Sequence, residues 1–168
     1  MVITIEESSQ EKPDWKREFK PFWSWQPSRS LLASIRTYQR YQASKSPWAI
    51  CQKKIAVLRH HFWSVVTGAD IPLNSQIGGG LLLPHPNGIV IHPSARIGVN
   101  CLIFQQVTIG TAGTHQSPII GNHVDIGAGA KLLGNIQIGN NAKIGANAVV
   151  LSDVPPSKTA VGIPARVL

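Results

Sequence analysis

His85 stands between Pro84 and Pro86, and the two rings stiffen the backbone on either side of it. Asp70 precedes it by fifteen residues. A carboxylate bonded to an imidazole fixes the ring tautomer and raises its basicity. That is what a general base needs to take a proton from a hydroxyl. A loop histidine with no role fits these two residues equally well. The other histidines carry weaker signals. His60 and His61 fall late in a predicted helix, where cations suit the C-terminal end. His92 begins a turn before Pro93, His115 lies within a second irregular stretch, and His123 follows that stretch. They lack the close pair plus third histidine of a histidine metal centre, so no metal is expected. Cys51 and Cys101 form no CxxC or other metal spacing. No Ser/His/Asp nucleophile pattern and no phosphate-cradling loop stands out.

The element that must position His85 is a repeat. Aliphatic residues recur every six positions at Ile71, Ile77 and Leu83, at Ile91, Ile97, Ile103 and Ile109, and from Ile120 through Ile126, Leu132, Ile138 and Ile144 to Val150. Neither the helix period of 3.6 nor the strand period of 2 gives a strict six. A hexapeptide repeat does, and it predicts a parallel β-helix in which three hexads close one triangular coil. Gly after many of the aliphatic residues is expected to supply corner dihedrals. Small or β-branched residues such as Ala95, Cys101 and Val107 should also point inward. The register breaks twice, at 84–88 and at 111–118, and each insert must bulge from a corner. Loops on a rigid scaffold are favoured places for chemistry. One coil is about eighteen residues and adjacent coils lie about 4.8 Å apart, so an Asp70–His85 hydrogen bond is feasible.

Three regions follow. Residues 1–27 read as an irregular arm rich in Trp and Pro, whose Trp15, Trp23 and Trp25 should dock on the body or on a neighbour. Residues 28–68 read as two helices. Ser46, Pro47 and Gly68 bound the second helix. Its stripe of Trp48, Cys51, Ile55, Leu58, Phe62 and Val65 is expected to be the packing seam. Residues 69–168 form the β-helix domain.

With 43 % hydrophobic and 14 % charged residues, the chain can fill a core and global disorder is excluded. The net charge is +8, and eleven of the sixteen Lys and Arg lie before residue 60. This basic region is either simply solvated or drawn to an acidic ligand or membrane face. No nucleic-acid motif, integral membrane segment or signal-peptide pattern is present, and the cysteine usage predicts a cytoplasmic setting.

The runs VTIGT, IGAGAKLLGNIQIG and GIPARV, together with the Asp70-to-His85 spacing, resemble the hexapeptide acyltransferases. More narrowly they resemble the serine acetyltransferase branch, over about residues 60–168. The resemblance implies a left-handed β-helix and a homotrimer or a multiple of trimers. It also implies acetyl-CoA as co-substrate in the groove between neighbouring prisms, with no permanently bound cofactor. It places His85 on the catalytic base and Asp70 on its partner. Gly110, Ala128 and Ala146 fall on backbone positions lining the CoA arm, and Lys143 falls near the CoA phosphates. His92, His115 and Gln116 fall in the acceptor region.

Departures from the branch bear on the acceptor. Pro84 stands where the family has an acid, His92-Pro93-Ser94 where it has Gly-Glu-Thr, and Gln116-Ser117 where it has Arg-His before a proline. Charges that would grip a free amino acid therefore look lost, since an unpaired buried charge is costly. The expected activity is an acetyl-CoA-dependent O-acetyltransferase on a sugar, a glycan or another small alcohol. Free serine is expected to be a poor substrate. L-Serine O-acetylation is the alternative, and a non-catalytic trimeric scaffold the second alternative.

Overall fold

The computed structural model describes residues 12–21, 23–113 and 116–168. Two helices, α1 (Pro27–Tyr41) and α2 (Pro47–Thr67), precede a coil of short parallel strands. The first wall of the coil stacks β1 (Gln76–Ile77), β3 (Arg96–Ile97), β6 (Ile119–Ile120) and β9 (Gln137–Ile138). The second stacks β2 (Val90–Ile91), β5 (Thr108–Gly110), β8 (Lys131–Leu133) and β11 (Val149–Val150). The third stacks β4 (Leu102–Ile103), β7 (Asp125–Ile126), β10 (Lys143–Ile144) and β12 (Thr159–Gly162), and closes with antiparallel β13 (Ala165–Val167). The chain passes repeatedly from third wall to second to first.

The sixfold period maps directly onto burial. Every aliphatic residue of the repeat from Ile71 to Val150 is buried, and so are Ala95, Cys101, Val107, Val124, Ala130, Ala142 and Ala148. Burying one such Ile or Leu contributes about 1.5–3 kcal/mol. Each two-residue strand points its first side chain out and its second in. Register shifts match the inserts. Ile126 pairs with Ile144 eighteen residues on, but Ile77 pairs with Ile97 across the first insert at twenty. Ile97 pairs with Ile120 across the second at twenty-three.

The repeat glycines serve another purpose than corner dihedrals. Left-handed backbone falls instead on residues such as Asn100, Gln106, Asn141 and Asn147, and Asn tolerates it well. Gly98 shows the actual constraint: a Cβ there would sit 2.5 Å from Gly121 O in the next coil. The coils approach too closely at that position for any side chain.

The helices meet each other and the coil through small residues. Ser46 Oγ accepts from Ala49 N at 3.2 Å, and Gly68 ends α2 at φ 63°. The buried residues of α2 are Ala49, Ala56, His60 and Thr67, and those of α1 include Leu31, Leu32 and Ile35, which join the hydrophobic core of the coil. His60 Nε2–H donates to Ile71 O at 2.8 Å, tying α2 to the first coil. The expected seam through Trp48, Cys51, Ile55, Leu58, Phe62 and Val65 is not the packed face, because all six are exposed. Alanines let two helix backbones approach more closely than that bulky stripe would allow.

The described part of the arm docks mainly by polar contacts. Glu18 pairs with Arg36 at 2.8 Å and accepts from Leu81 N at 3.0 Å. Arg36 also donates to Ile77 O and Gly78 O, both at 2.7 Å. Asp14 N donates to Asn100 Oδ1 at 2.7 Å. Trp15 lies under the Arg36 guanidinium at 5.6 Å, and Trp25 meets Trp63 edge-on at 5.5 Å.

Candidate active site

The candidate residues gather at two corners of the prism. Corner I joins the third wall to the second. Its lowest segment is 84–88, which carries His85. Asn87 O accepts from Gln106 N at 2.9 Å, Gln105 O from Gly129 N at 2.8 Å, and Ala128 O from Asn147 N at 2.8 Å. These bonds stack His85's loop, Ala128 and Ala146 in one column. Lys143 lies on the outward side of β10, three residues before Ala146.

Asp70 flanks the same corner one coil below. It bridges to Val90, twenty residues on, because the first insert lengthens that coil. Val90 rather than His85 therefore stacks on Asp70. Both side chains are exposed. Among the described residues, no hydrogen bond or ion pair joins the Asp70 carboxylate to the His85 imidazole. Gly68 fits this geometry: its carbonyl accepts from Gly88 N at 2.8 Å, and a Cβ there would lie 3.0 Å from the Asn87 amide.

Corner II joins the second wall to the first and carries His92, Gly110, Gln116 and Ser117. His92 N donates to Ile109 O at 2.8 Å. Ser94 N–H donates to His92 Nδ1 at 3.2 Å, and Ser117 Oγ lies 3.0 Å from the same nitrogen. Because Nδ1 already accepts a backbone N–H, it is the unprotonated nitrogen and Ser117 donates to it. The ring proton is then on Nε2, a neutral donor held in place by two partners. Gln116 is exposed, and His115 lies outside the described residues. Gly110 sits here, away from Ala128 and Ala146. A Cβ at Gly110 would lie 3.9 Å from the side chains of Leu133 and Thr108, so this position is open. The second wall separates the two corners, so one prism cannot bring the two groups together.

Two further cations lie beside these corners, one of them, Lys131, inside the IGAGAKLLGNIQIG run. Lys131 Nζ folds back to corner I, donating to Gln106 O at 2.7 Å and Thr108 Oγ1 at 3.1 Å. Arg96 follows corner II on β3, exposed, with its N–H bonded to Pro118 O at 3.1 Å. Its guanidinium meets no carboxylate among the described residues. Both occupy the outward position directly before an inward aliphatic of the repeat, Leu132 and Ile97. Cys101, by contrast, is fully buried, and burial pushes its thiol up to about 11 against the opposing effect of backbone hydrogen bonds.

Residues 117–152 match the family described as bacterial transferase hexapeptide (six repeats). Serine acetyltransferase of Synechococcus elongatus is 46 % identical over 150 residues, covering 84 % of this chain and 62 % of that protein. This chain thus spans about three fifths of that relative's length. Soybean serine acetyltransferase, solved in complex with serine, is 36 % identical with a TM-score of 0.63, covering 83 % of this chain and 70 % of that one. A serine acetyltransferase solved with CoA is 37 % identical with a TM-score of 0.70, covering 86 % and 58 %. These relatives overturn the expected sugar or glycan acceptor. The physical reason lies in the charges. The site looks uncharged only if Asp70 is fully committed to His85 and Arg96 is left out, whereas neither is paired within the described residues. Repeat, wall topology and sequence identity agree, and the chain belongs to the hexapeptide-repeat acyltransferases, in their serine acetyltransferase-like branch.

Proposed function

We propose that this protein is an acetyl-CoA-dependent L-serine O-acetyltransferase. The observation that carries the reading is the corner I column: His85 at its foot, with the backbone of Ala128 and Ala146 stacked above it. His85 takes the proton from the serine hydroxyl as the oxygen attacks the thioester carbonyl. The C–S bond then breaks, and the imidazolium returns the proton to the CoA thiolate. No covalent enzyme intermediate is needed. Backbone N–H groups near Gly110 stabilise the oxyanion.

A carboxylate has about four lone-pair sites. Asp70 can therefore orient the His85 ring and still accept from the serine ammonium. Arg96 supplies the cation for the serine carboxylate, and His92 Nε2–H, with Gln116 and His115, completes the acceptor region. Ala128, Ala146 and Gly110 line the CoA arm, and Lys143 and Lys131 meet its phosphates. In this reading the coil winds left-handed and the protein assembles as a homotrimer or a multiple of trimers. Corner II of one copy then closes on corner I of its neighbour, which joins groups that one prism keeps apart. The free thiols Cys51 and Cys101 agree with a reducing, cytoplasmic setting.

The test is CoA release from acetyl-CoA with L-serine against a panel of sugars and glycans. Serine should support turnover while sugars remain inert. Absence of turnover with serine under conditions where CoA protects the protein from heat would sink the proposal.

A further inference from the structure

We propose that the outward face of α2 docks on an anionic phospholipid bilayer. The stripe through this helix looks like a packing seam in sequence and is exposed among the described residues. Val65 is 83 % exposed, Leu58 70 %, Trp48 66 % and Phe62 55 %. At 100° per residue, Leu58, Phe62 and Val65 cluster opposite the buried Ala49, Ala56 and His60. The ridge runs along a helix of twenty-one residues, about 31 Å.

Charge selects the occupant. Lys54 borders the ridge on one side and Arg59 on the other, both exposed. No Asp or Glu occurs between Glu18 and Asp70, so the whole helical unit carries only positive charge. A second copy is a poor partner, because two-fold pairing of this face sets cations against their own copies with no acid to offset them. A bilayer interface accepts a convex apolar ridge without a matching groove, and lipid phosphates meet the flanking cations. The helix lies on such a surface rather than crossing it. Among the described residues, no helix is long and apolar enough to span a membrane.

The test uses the full chain and vesicles of phosphatidylcholine, alone or mixed equally with phosphatidylglycerol. Co-sedimentation should occur with the mixed vesicles and weaken at high salt. Leu58→Gln with Phe62→Gln should lower partitioning at least about tenfold while far-UV circular dichroism and Tm stay unchanged, since both side chains are exposed. Lys54→Gln and Arg59→Gln should each weaken it about fivefold. In the unmutated protein, Cys51 on the same ridge should react with a water-soluble maleimide and be shielded once mixed vesicles are added. The proposal is overturned if the mixed vesicles are not bound, if both vesicle types bind equally, or if the double Gln variant binds like the parent. It is also overturned if that variant instead splits the assembly on gel filtration, which would assign the face to a second copy.

Discussion

The coil and α2 both carry regular apolar spacing, yet one buries its pattern and the other displays it. In the coil, each hexad aliphatic meets the hexads above and below and the opposite walls. Ile103, Ile109 and Ile126 are consequently without solvent exposure. The period of six encodes a closed shape, so inward positions need no further partner. The three-four spacing of α2 states only that one face is apolar. What covers that face depends on neighbouring backbone, and Ala49 and Ala56 offer the closer approach. Periodicity thus fixes burial where the element closes on itself, and leaves it open where the element needs a partner.

The largest contrast should appear in catalysis. His85→Ala is expected to lower kcat/KM for serine about 10²–10⁴-fold, the usual range for losing a general base. His61→Ala, an exposed histidine on α2, should leave it unchanged. Near wild-type turnover by the His85 variant would break the assignment of chemistry to corner I. In stability, Ile126→Ala should cost about 2–5 kcal/mol by denaturant titration, because the rigid walls cannot collapse into the space it leaves. A cost below about 1 kcal/mol would mean that the coil core is less closely packed than its burial indicates.

The sequence makes the coil legible almost to the residue, because an inserted residue shows at once as a broken count. Placement across a break is harder. The spacing from Asp70 to His85 suggests stacked residues, but the insert at 84–88 lengthens that coil to twenty and sets Val90 above Asp70. Arg96 belongs to no motif, and only the corner beside it gives it meaning. His92 is visible as a residue, but not its fixed tautomer, which depends on Ser94 N and on Ser117 from a loop twenty-five residues away. The acceptor is hard to read for a related reason. Motif positions can be compared for charge one by one, whereas charges that converge from other hexads belong to no motif and escape that comparison.

The two cysteines sharpen the comparison at intermediate size. Cys101 sits in the coil, its Sγ–H directed at Gly121 O at 3.2 Å, and its thiol is raised from 9.0 to about 11 by burial. Below pH 9 both folded and unfolded chains keep the proton. Between pH 9 and 11 the unfolded chain loses it first, so folding stability should fall as pH rises through that window. That rise, from 9.0 to about 11, corresponds to about 2–3 kcal/mol at most. Cys101→Ala should remove this slope from pH-dependent unfolding curves relative to the parent. Identical slopes would show that burial does not hold the thiol protonated. Cys51, exposed on α2, should be alkylated in the native protein while Cys101 is not.

The smallest effect is expected on α2 itself. Leu58 is 70 % exposed, so Leu58→Ala removes little area from contact with the folded protein. Alanine also has the higher helix propensity, by a few tenths of a kcal/mol at most. The two effects oppose each other, and the net change in unfolding free energy should lie within about 0.5 kcal/mol. The same truncation at Leu132, fully buried on β8, should cost several times more. Measuring both variants by denaturant titration at one protein concentration keeps assembly constant. If Leu58→Ala costs as much as Leu132→Ala, the outward face of α2 is buried in the assembled protein, and the contrast between coil and helix disappears.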